Sequence, residues 1–205
     1  MEELKDYELN ENWASETMEF VVKSKNEDEK LNDYLNNFKN TDSIESATSF
    51  VKQLIKTLSV DCELFSYYKD IIKDSYELLN EVIFYCPHTL DEIKQLEENK
   101  VTHENLFNDL SSKIDSLKMY LQAFETNVDI FLNAKPDEEI PSNIVNDICS
   151  LSDQLIVDRV EMFRFCSNIS SYIGETKTSV RNKIEEYESI KKENSFECED
   201  NSFLS

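Results

Sequence analysis

The fold is decided by residues 51–86, which read VKQLIKTLSVDCELFSYYKDIIKDSYELLNEVIFYC. Apolar side chains recur there by alternating steps of three and four residues, at Val51, Leu54, Leu58, Phe65, Tyr68, Ile72, Leu79 and Val82. A repeat of 3.5 residues keeps one stripe of an α-helix facing a neighbouring helix, which is the condition for a coiled coil. The stretch therefore predicts a long helix with one assembly seam.

The same phase continues downstream without a slip. The seam runs on through Ile93, Leu96, Phe107, Leu110, Ile114, Leu117, Leu121, Phe124, Val128 and Phe131, and it resumes at Ile148, Leu151 and Leu155. Polar residues interrupt it at Asp61, Ser75, Thr89, Lys100 and His103. Polar seam residues lower stability but can set register and oligomeric state. We expect the apolar positions to form the surface through which helices assemble.

Two proline-containing segments divide the helical pattern. Pro87 lacks the backbone donor that a helix needs, so we expect a kink near it. Thr89 and Glu92 after it have the spacing of a capping box. Residues 133–142 hold two of the three prolines and predict a linker. With one glycine, Gly174, the chain disfavours a fold rich in turns. The predicted fold is all-α, an elongated coiled coil of two or three long helices.

The predicted domains follow these boundaries. Residues 1–45 carry thirteen acidic residues against five lysines. This composition is typical of a largely disordered tail, or of a docking segment that folds on a partner with Trp13 as its anchor. Residues 46–132 are predicted as the first coiled-coil segment and 143–192 as the second. Residues 193–205 are predicted as an acidic tail.

The formal net charge of −22 at pH 7 restricts the partners. Phosphate binding needs a basic face, so we expect no nucleic acid partner, and adhesion to an anionic membrane is disfavoured. No apolar run approaches the roughly 20 residues that span a bilayer, so we expect no membrane insertion. The N-terminal MEELK lacks the features of a secretion signal. The five scattered cysteines form no Cys-x-x-Cys pair, so we expect free thiols inside the cell.

No motif for catalysis, a cofactor or a metal stands out. The two histidines, His88 and His103, lack a metal-binding spacing, and a phosphate-binding loop needs glycines that the chain does not have. A catalytic pair of carboxylates needs a buried cleft, so the many acidic residues are typical of solvated helix faces. We predict a non-enzymatic protein without cofactor or metal.

Parts of the seam resemble a known family. Residues 65–73, FSYYKDIIK, are similar to the start of the coiled-coil domain of central-channel nucleoporins of the 62-kilodalton class. Residues 115–126, DSLKMYLQAFET, resemble a second signature of that domain at the same spacing, and residues 148–155 are similar to the opening of its next helical segment. The resemblance covers roughly residues 47–170. The family's Phe-Gly repeats have no counterpart, because the chain contains no Phe-Gly dipeptide.

The resemblance implies a structural coiled-coil subunit of the nuclear pore complex at the nuclear envelope. Such a subunit would assemble as a hetero-oligomer with two channel nucleoporins and a pore scaffold nucleoporin, and would support nucleocytoplasmic transport of protein and mRNA. Without the pore assignment, we expect a cytoplasmic protein. Two departures concern the domain's interior. Ser75 stands where the family tends to have tryptophan, and Val82-Ile83 where it has a glycine pair.

Two other interpretations stay open. A coiled-coil subunit of a tethering, spindle or autophagy complex would share the long helices, the acidic charge and the scarcity of glycine. A self-contained helical bundle, folded back at Pro87 and at residues 133–142, would bury the seam inside the chain. Loops this short favour antiparallel neighbours, as such a bundle requires.

Overall fold

The chain is all-α, as predicted. The computed structural model describes residues 13–41, 44–86, 88–133 and 142–200, which form four helices: α1 Trp13–Thr41, α2 Ile44–Tyr85, α3 Leu90–Asn133 and α4 Ser142–Asp200. No β-strand occurs among these residues. The sequence predicts two or three helices, whereas the described residues hold four, because α1 forms within the segment predicted as a tail or docking segment.

The junction between α2 and α3 falls where the sequence predicts a kink. α2 ends at Tyr85, and the capping box predicted for α3 is confirmed. The Thr89 amide donates to the Glu92 carboxylate over 2.7 Å, and the Glu92 amide donates to the Thr89 hydroxyl over 3.3 Å. Helix α2 ends here because proline has no backbone N–H to donate to the next helical hydrogen bond. Pro87 itself lies outside the described residues.

The other predicted boundaries compare with the helix bounds as follows. α3 ends at Asn133 and α4 begins at Ser142, so most of the predicted linker at 133–142 lies outside the described residues. α4 continues to Asp200, beyond the predicted start of the acidic tail at residue 193. Residues 1–12 of the predicted N-terminal segment and residues 201–205 of the tail also lie outside the described part.

The described residues group into two compact units. The four-helix unit consists of the described residues within 13–69 and 109–166, and therefore contains α1, the first part of α2, the second part of α3 and the first part of α4. The three-helix unit consists of residues 70–108 and 167–200, from the remaining parts of α2, α3 and α4.

The four-helix unit has an apolar core built from three of its helices. α2 contributes Leu54, Leu58 and Phe65, α3 contributes Leu117 and Phe124, and α4 contributes Leu155, all buried. The Phe65 and Phe163 rings meet edge to face with centroids 5.2 Å apart, a favoured aromatic geometry. α1 contributes less buried apolar surface, because its buried residues are Thr17, Ser24, Glu27 and the single apolar Leu31. The rings of Phe20 and Phe38 on α1 also contact those of Tyr67 and Phe50 on α2, with centroids 4.9 and 6.2 Å apart.

The three-helix unit is packed unevenly. Ile72, Leu79 and Val82 of α2 are buried, as are Ile169 and Ile173 of α4. α3 contributes no buried apolar side chain over residues 90–108, and its buried residue there is His103. In this unit α3 is therefore held mainly by polar and half-buried contacts, which leaves open space beside it.

Candidate interaction surfaces

Most of the predicted seam is buried within this chain. The buried seam residues of the four-helix unit are Leu54, Leu58, Phe65, Tyr68, Leu110, Ile114, Leu117, Leu121, Phe124, Val128 and Leu155. Those of the three-helix unit are Ile72, Leu79 and Val82. Half-buried positions are Val51, Leu96, Phe107, Phe131, Ile148 and Leu151, while Ile93 is exposed. Helices of the same chain therefore cover most of the surface predicted for assembly.

A charged cluster connects three helices of the four-helix unit. The Asp61 side chain on α2 is fully buried and accepts hydrogen bonds from Ser24 of α1 and from Arg159 of α4. Arg159 also donates to Asp28 of α1 over 2.9 Å, and its guanidinium lies 5.2 Å from the Phe163 ring centroid. Burial raises the pKa of Asp61, and the Arg159 charge acts against that rise. The cluster neutralises the one fully buried carboxylate among the described residues.

Glu27 anchors α1 on α2. Its carboxylate accepts hydrogen bonds from Gln53 over 2.7 Å and from Lys30 over 2.8 Å, and lies 3.1 Å from the Lys56 ammonium. Its backbone carbonyl accepts from Gln53 and Thr57, both over 3.3 Å. Hydrogen bonds from Lys30 and Gln53 lower the pKa of Glu27 to about 2. The carboxylate is therefore ionised throughout the physiological range.

Ser75 and His103 pair inside the three-helix unit. The His103 Nδ1 lies 2.9 Å from the Asn99 carbonyl, so Nδ1 carries the proton. Nε2 then accepts from the Ser75 hydroxyl over 2.9 Å. A serine beside a histidine can be a nucleophile with its base. Here both side chains are buried, and both residues lie in the middle of a helix. The backbone amides of a helix bond to carbonyls of the same helix, so they cannot bind an oxyanion. The pair is therefore an internal polar link between α2 and α3.

A groove lies between α2 and α3 in the three-helix unit and has a volume of about 380 Å³. Its apolar lining comes from Ile72 and Tyr76 of α2 and Phe107 of α3. Its charged lining comes from Lys73, Glu77 and Glu104. Lys73 and Glu77 pair with each other over 3.7 Å. Glu104 is exposed and forms no ion pair with the described residues. The groove is therefore apolar at its base and slightly acidic at its rim.

Exposed apolar side chains continue this groove along both helices. Phe84 is 77% exposed and shares a face of α2 with Lys73 and Glu77, at spacings of four and seven residues. On α3, Leu90 is 86% exposed and Val101 is 57% exposed. Helical spacing places both near the face that carries Glu104. The predicted seam does not include these residues, because they lie outside its 3.5-residue phase. In the sequence, each of them is an apolar residue at a helix position outside the seam, where the helix is expected to face solvent.

The described part of the chain shows neither a metal-binding cluster nor a membrane-spanning helix. No group of three or more His, Cys, Asp or Glu side chains is placed there to hold a metal ion. Nor does any helix in these ranges have an apolar stretch long enough to cross a bilayer.

Comparisons with known proteins identify no relative. The chain matches no protein-family model, no curated protein and no solved structure.

Proposed function

We propose that this chain is a non-catalytic helical assembly subunit that binds an α-helix of another protein in the groove between α2 and α3. The observation that carries the proposal is the alignment of exposed Phe84, Leu90 and Val101 with a groove whose base is apolar. Apolar side chains grouped on one face of a soluble domain commonly mark a protein interaction site. The burial of the seam supports docking in this groove. Because helices of this chain already cover the seam, the outward surface is the one left for a partner.

The groove favours a particular kind of partner. An amphipathic helix would place apolar anchors against Tyr76 and Phe107 at spacings of three, four and seven residues. A lysine or arginine beside those anchors would pair with Glu104, which no described residue neutralises. The net charge of −22 also favours encounter with a basic helix. The expected partner is therefore a basic amphipathic helix.

A narrower form of the proposal places the chain in the nuclear pore, with two channel nucleoporins and a pore scaffold nucleoporin as partners. Its support is the resemblance over residues 65–73 and 115–126. Phe65, Leu117 and Phe124 from those stretches are buried against helices of this chain. Pore partners would therefore bind the outward surface, or the bundle would open to admit them. A tethering, spindle or autophagy complex is the corresponding alternative.

The test is affinity capture of the tagged chain from its own cells, with partners identified by mass spectrometry, for the wild type and two matched variants. Val101→Glu changes the surface beside the groove, whereas Val157→Glu changes a similarly exposed valine of the four-helix unit. We expect partners of the wild type to be retained by Val157→Glu and lost by Val101→Glu. Recovery of channel nucleoporins in that pattern would support the pore assignment. Equal retention by both variants would exclude the groove as the docking site.

A further inference from the structure

The outward side of α4 in the four-helix unit carries a group of exposed apolar side chains. Ile156, Val157 and Val160 are 41%, 52% and 45% exposed, and they lie within about one helical turn of one another. Leu155, on the inward side of the same turn, is fully buried in the core. Apolar side chains grouped on an exposed helix face commonly mark a site of protein interaction. This group lies in the four-helix unit, whereas the groove between α2 and α3 lies in the three-helix unit.

Opposite charges flank these apolar residues along the helix. Asp153 lies four residues before Val157, and Arg164 lies four residues after Val160. Both charged residues are exposed, and neither forms an ion pair with a side chain in the described ranges. Successive steps of four, three and four residues keep the four side chains on one stripe of the helix. Together with Ile156 beside it, this stripe forms what we call the α4 face.

The α4 face is complementary to itself in an antiparallel pair of helices. When a two-fold axis passes between Val157 and Val160, Val157 of each copy meets Val160 of the other. The same register sets Asp153 of each copy against Arg164 of the other, because each lies four positions beyond the nearer valine. The contact then has an apolar centre and an ion pair at each end. A parallel pair would instead set like charges against each other, which is unfavourable.

We propose that the α4 face is a dimer contact, through which two copies of this chain pack antiparallel about a two-fold axis. One helix from each copy covers less area than a standard interface of about 1,600 Å², so the dimer is weak and depends on concentration. The net charge of −22 on each chain opposes association. Salt at about 0.15 M screens charges more than about 8 Å apart, so the ion pairs at the contact outweigh distant repulsion. The proposal does not depend on the function proposed for the groove.

The test is sedimentation velocity of the full-length chain over a range of concentrations, with variants that change the two charges. Asp153→Arg sets two arginines together at each end of the contact, and Arg164→Asp sets two carboxylates together there. Because the two-fold axis repeats each substitution, we expect either variant to dimerise at least about tenfold more weakly than the wild type. The matched control is Asp147→Arg, which makes the same charge change at an exposed position of α4 outside the stripe. This control should dimerise at least as well as the wild type.

The two weakened variants should rescue each other. When Asp153→Arg and Arg164→Asp are mixed in equal amounts, a heterodimer should form, because every arginine then faces a carboxylate. The double variant Asp153→Arg/Arg164→Asp should dimerise like the wild type for the same reason. Val157→Glu should be monomeric, because each copy would place an unpaired carboxylate against Val160 of the other. All the changed residues are exposed, so circular dichroism should show the wild-type helix content in every variant.

Three results would overturn the proposal. The first is a wild-type chain that stays monomeric up to about 1 mM, a limit that corresponds to very weak binding. The second is equal dimerisation of Asp153→Arg and the Asp147→Arg control. The third is a mixture of the two charge variants that associates no better than either variant alone. Val157→Glu also separates this proposal from the function proposed for the groove, because it should lose the dimer and retain a partner bound between α2 and α3.

Discussion

Replacing Arg159 by methionine should be among the most damaging single changes in the four-helix unit. Arg159 neutralises Asp61, whose side chain is fully buried, while Arg159 itself is 15% exposed. Arg159→Met keeps an unbranched side chain of similar reach beside Phe163 but removes the countercharge. Ser24 is then the remaining donor to Asp61 among the described residues.

The magnitude follows from the burial of Asp61. Breaking a buried ion pair on one side leaves an uncompensated charge and typically costs about 3–5 kcal/mol. The pair between Arg159 and the partly exposed Asp28 adds less than about 1 kcal/mol. Replacing both members of a buried pair by apolar residues is typically neutral or stabilising by about 1–4 kcal/mol. The double variant Asp61→Leu/Arg159→Met should therefore recover most of the stability that Arg159→Met loses.

The assay is urea unfolding of the full-length chain, followed by far-UV circular dichroism and by fluorescence of Trp13, the sole tryptophan, which lies in α1. The matched control is Lys23→Met, because Lys23 pairs with Glu63 at the surface and both side chains are about half exposed. That change should cost less than about 1 kcal/mol. The Arg159→Met deficit should also shrink toward pH 4, because a protonated Asp61 has no charge to bury.

Three results would refute this reasoning. The first is that Arg159→Met lowers the free energy of unfolding by no more than Lys23→Met does. The second is that the double variant is as unstable as Arg159→Met. The third is that the loss of stability in Arg159→Met is the same at pH 7 and pH 4. Each would mean that Asp61 reaches water in solution, so that α1, α2 and α4 do not enclose it.

Three other predictions test the packing. Burial lowers the pKa of His103, so the unfolded chain binds that proton more readily and wild-type stability should fall as pH drops below about 6.5. His103→Gln should lose that part of the slope when urea unfolding is compared between pH 7.5 and pH 5.5; an unchanged slope would assign it to another group. Burial raises the pKa of Cys62 to about 11 and of Cys166 to about 12, whereas Cys149 is exposed. Iodoacetamide at pH 8 should therefore modify Cys149 at least about 100-fold faster than Cys62 or Cys166, as measured by peptide mass spectrometry. Similar rates for the three cysteines would mean that the bundle opens. Gly174 lies inside α4 with no atom within 4 Å of an added Cβ, so Gly174→Ala should raise the free energy of unfolding by about 0.5–1 kcal/mol, and a loss would mean that the helix is not formed there.

The periodicity of apolar residues predicts much of the helical architecture. The step pattern from Val51 to Val82 lies within α2, and the pattern from Ile93 to Phe131 lies within α3. Local rules also place the start of α3, because a capping box needs residues only three positions apart. Such features are predictable because their physical cause lies within one or two helical turns.

α1 is harder to predict because its stabilising groups lie elsewhere in the chain. Its composition is polar and acidic, and its inward face carries Ser24 and Glu27 where a helix signal would have leucines. These residues are stabilised by Gln53 and Asp61, and Asp28 by Arg159, which is 131 positions away. No local pattern connects residues so distant, so composition alone favours a tail or docking segment.

The polar seam positions help to identify what the seam packs against. A heptad repeat is the same whether the facing helix belongs to another chain or to this one, but polar residues within it need specific partners. Asp61 pairs with Arg159, Ser75 with His103, and Thr89 with Glu92. Lys100 pairs with Glu97 and lies 5.9 Å from the Tyr76 ring centroid. Asp61, Ser75 and Lys100 thus have partners on other helices of this chain. The Thr89–Glu92 and Lys100–Glu97 pairs are local contacts of α3. An external helix that took over the seam would have to replace Arg159 opposite Asp61 and separate Ser75 from His103. This requirement favours the proposal that a partner helix docks in the outward groove.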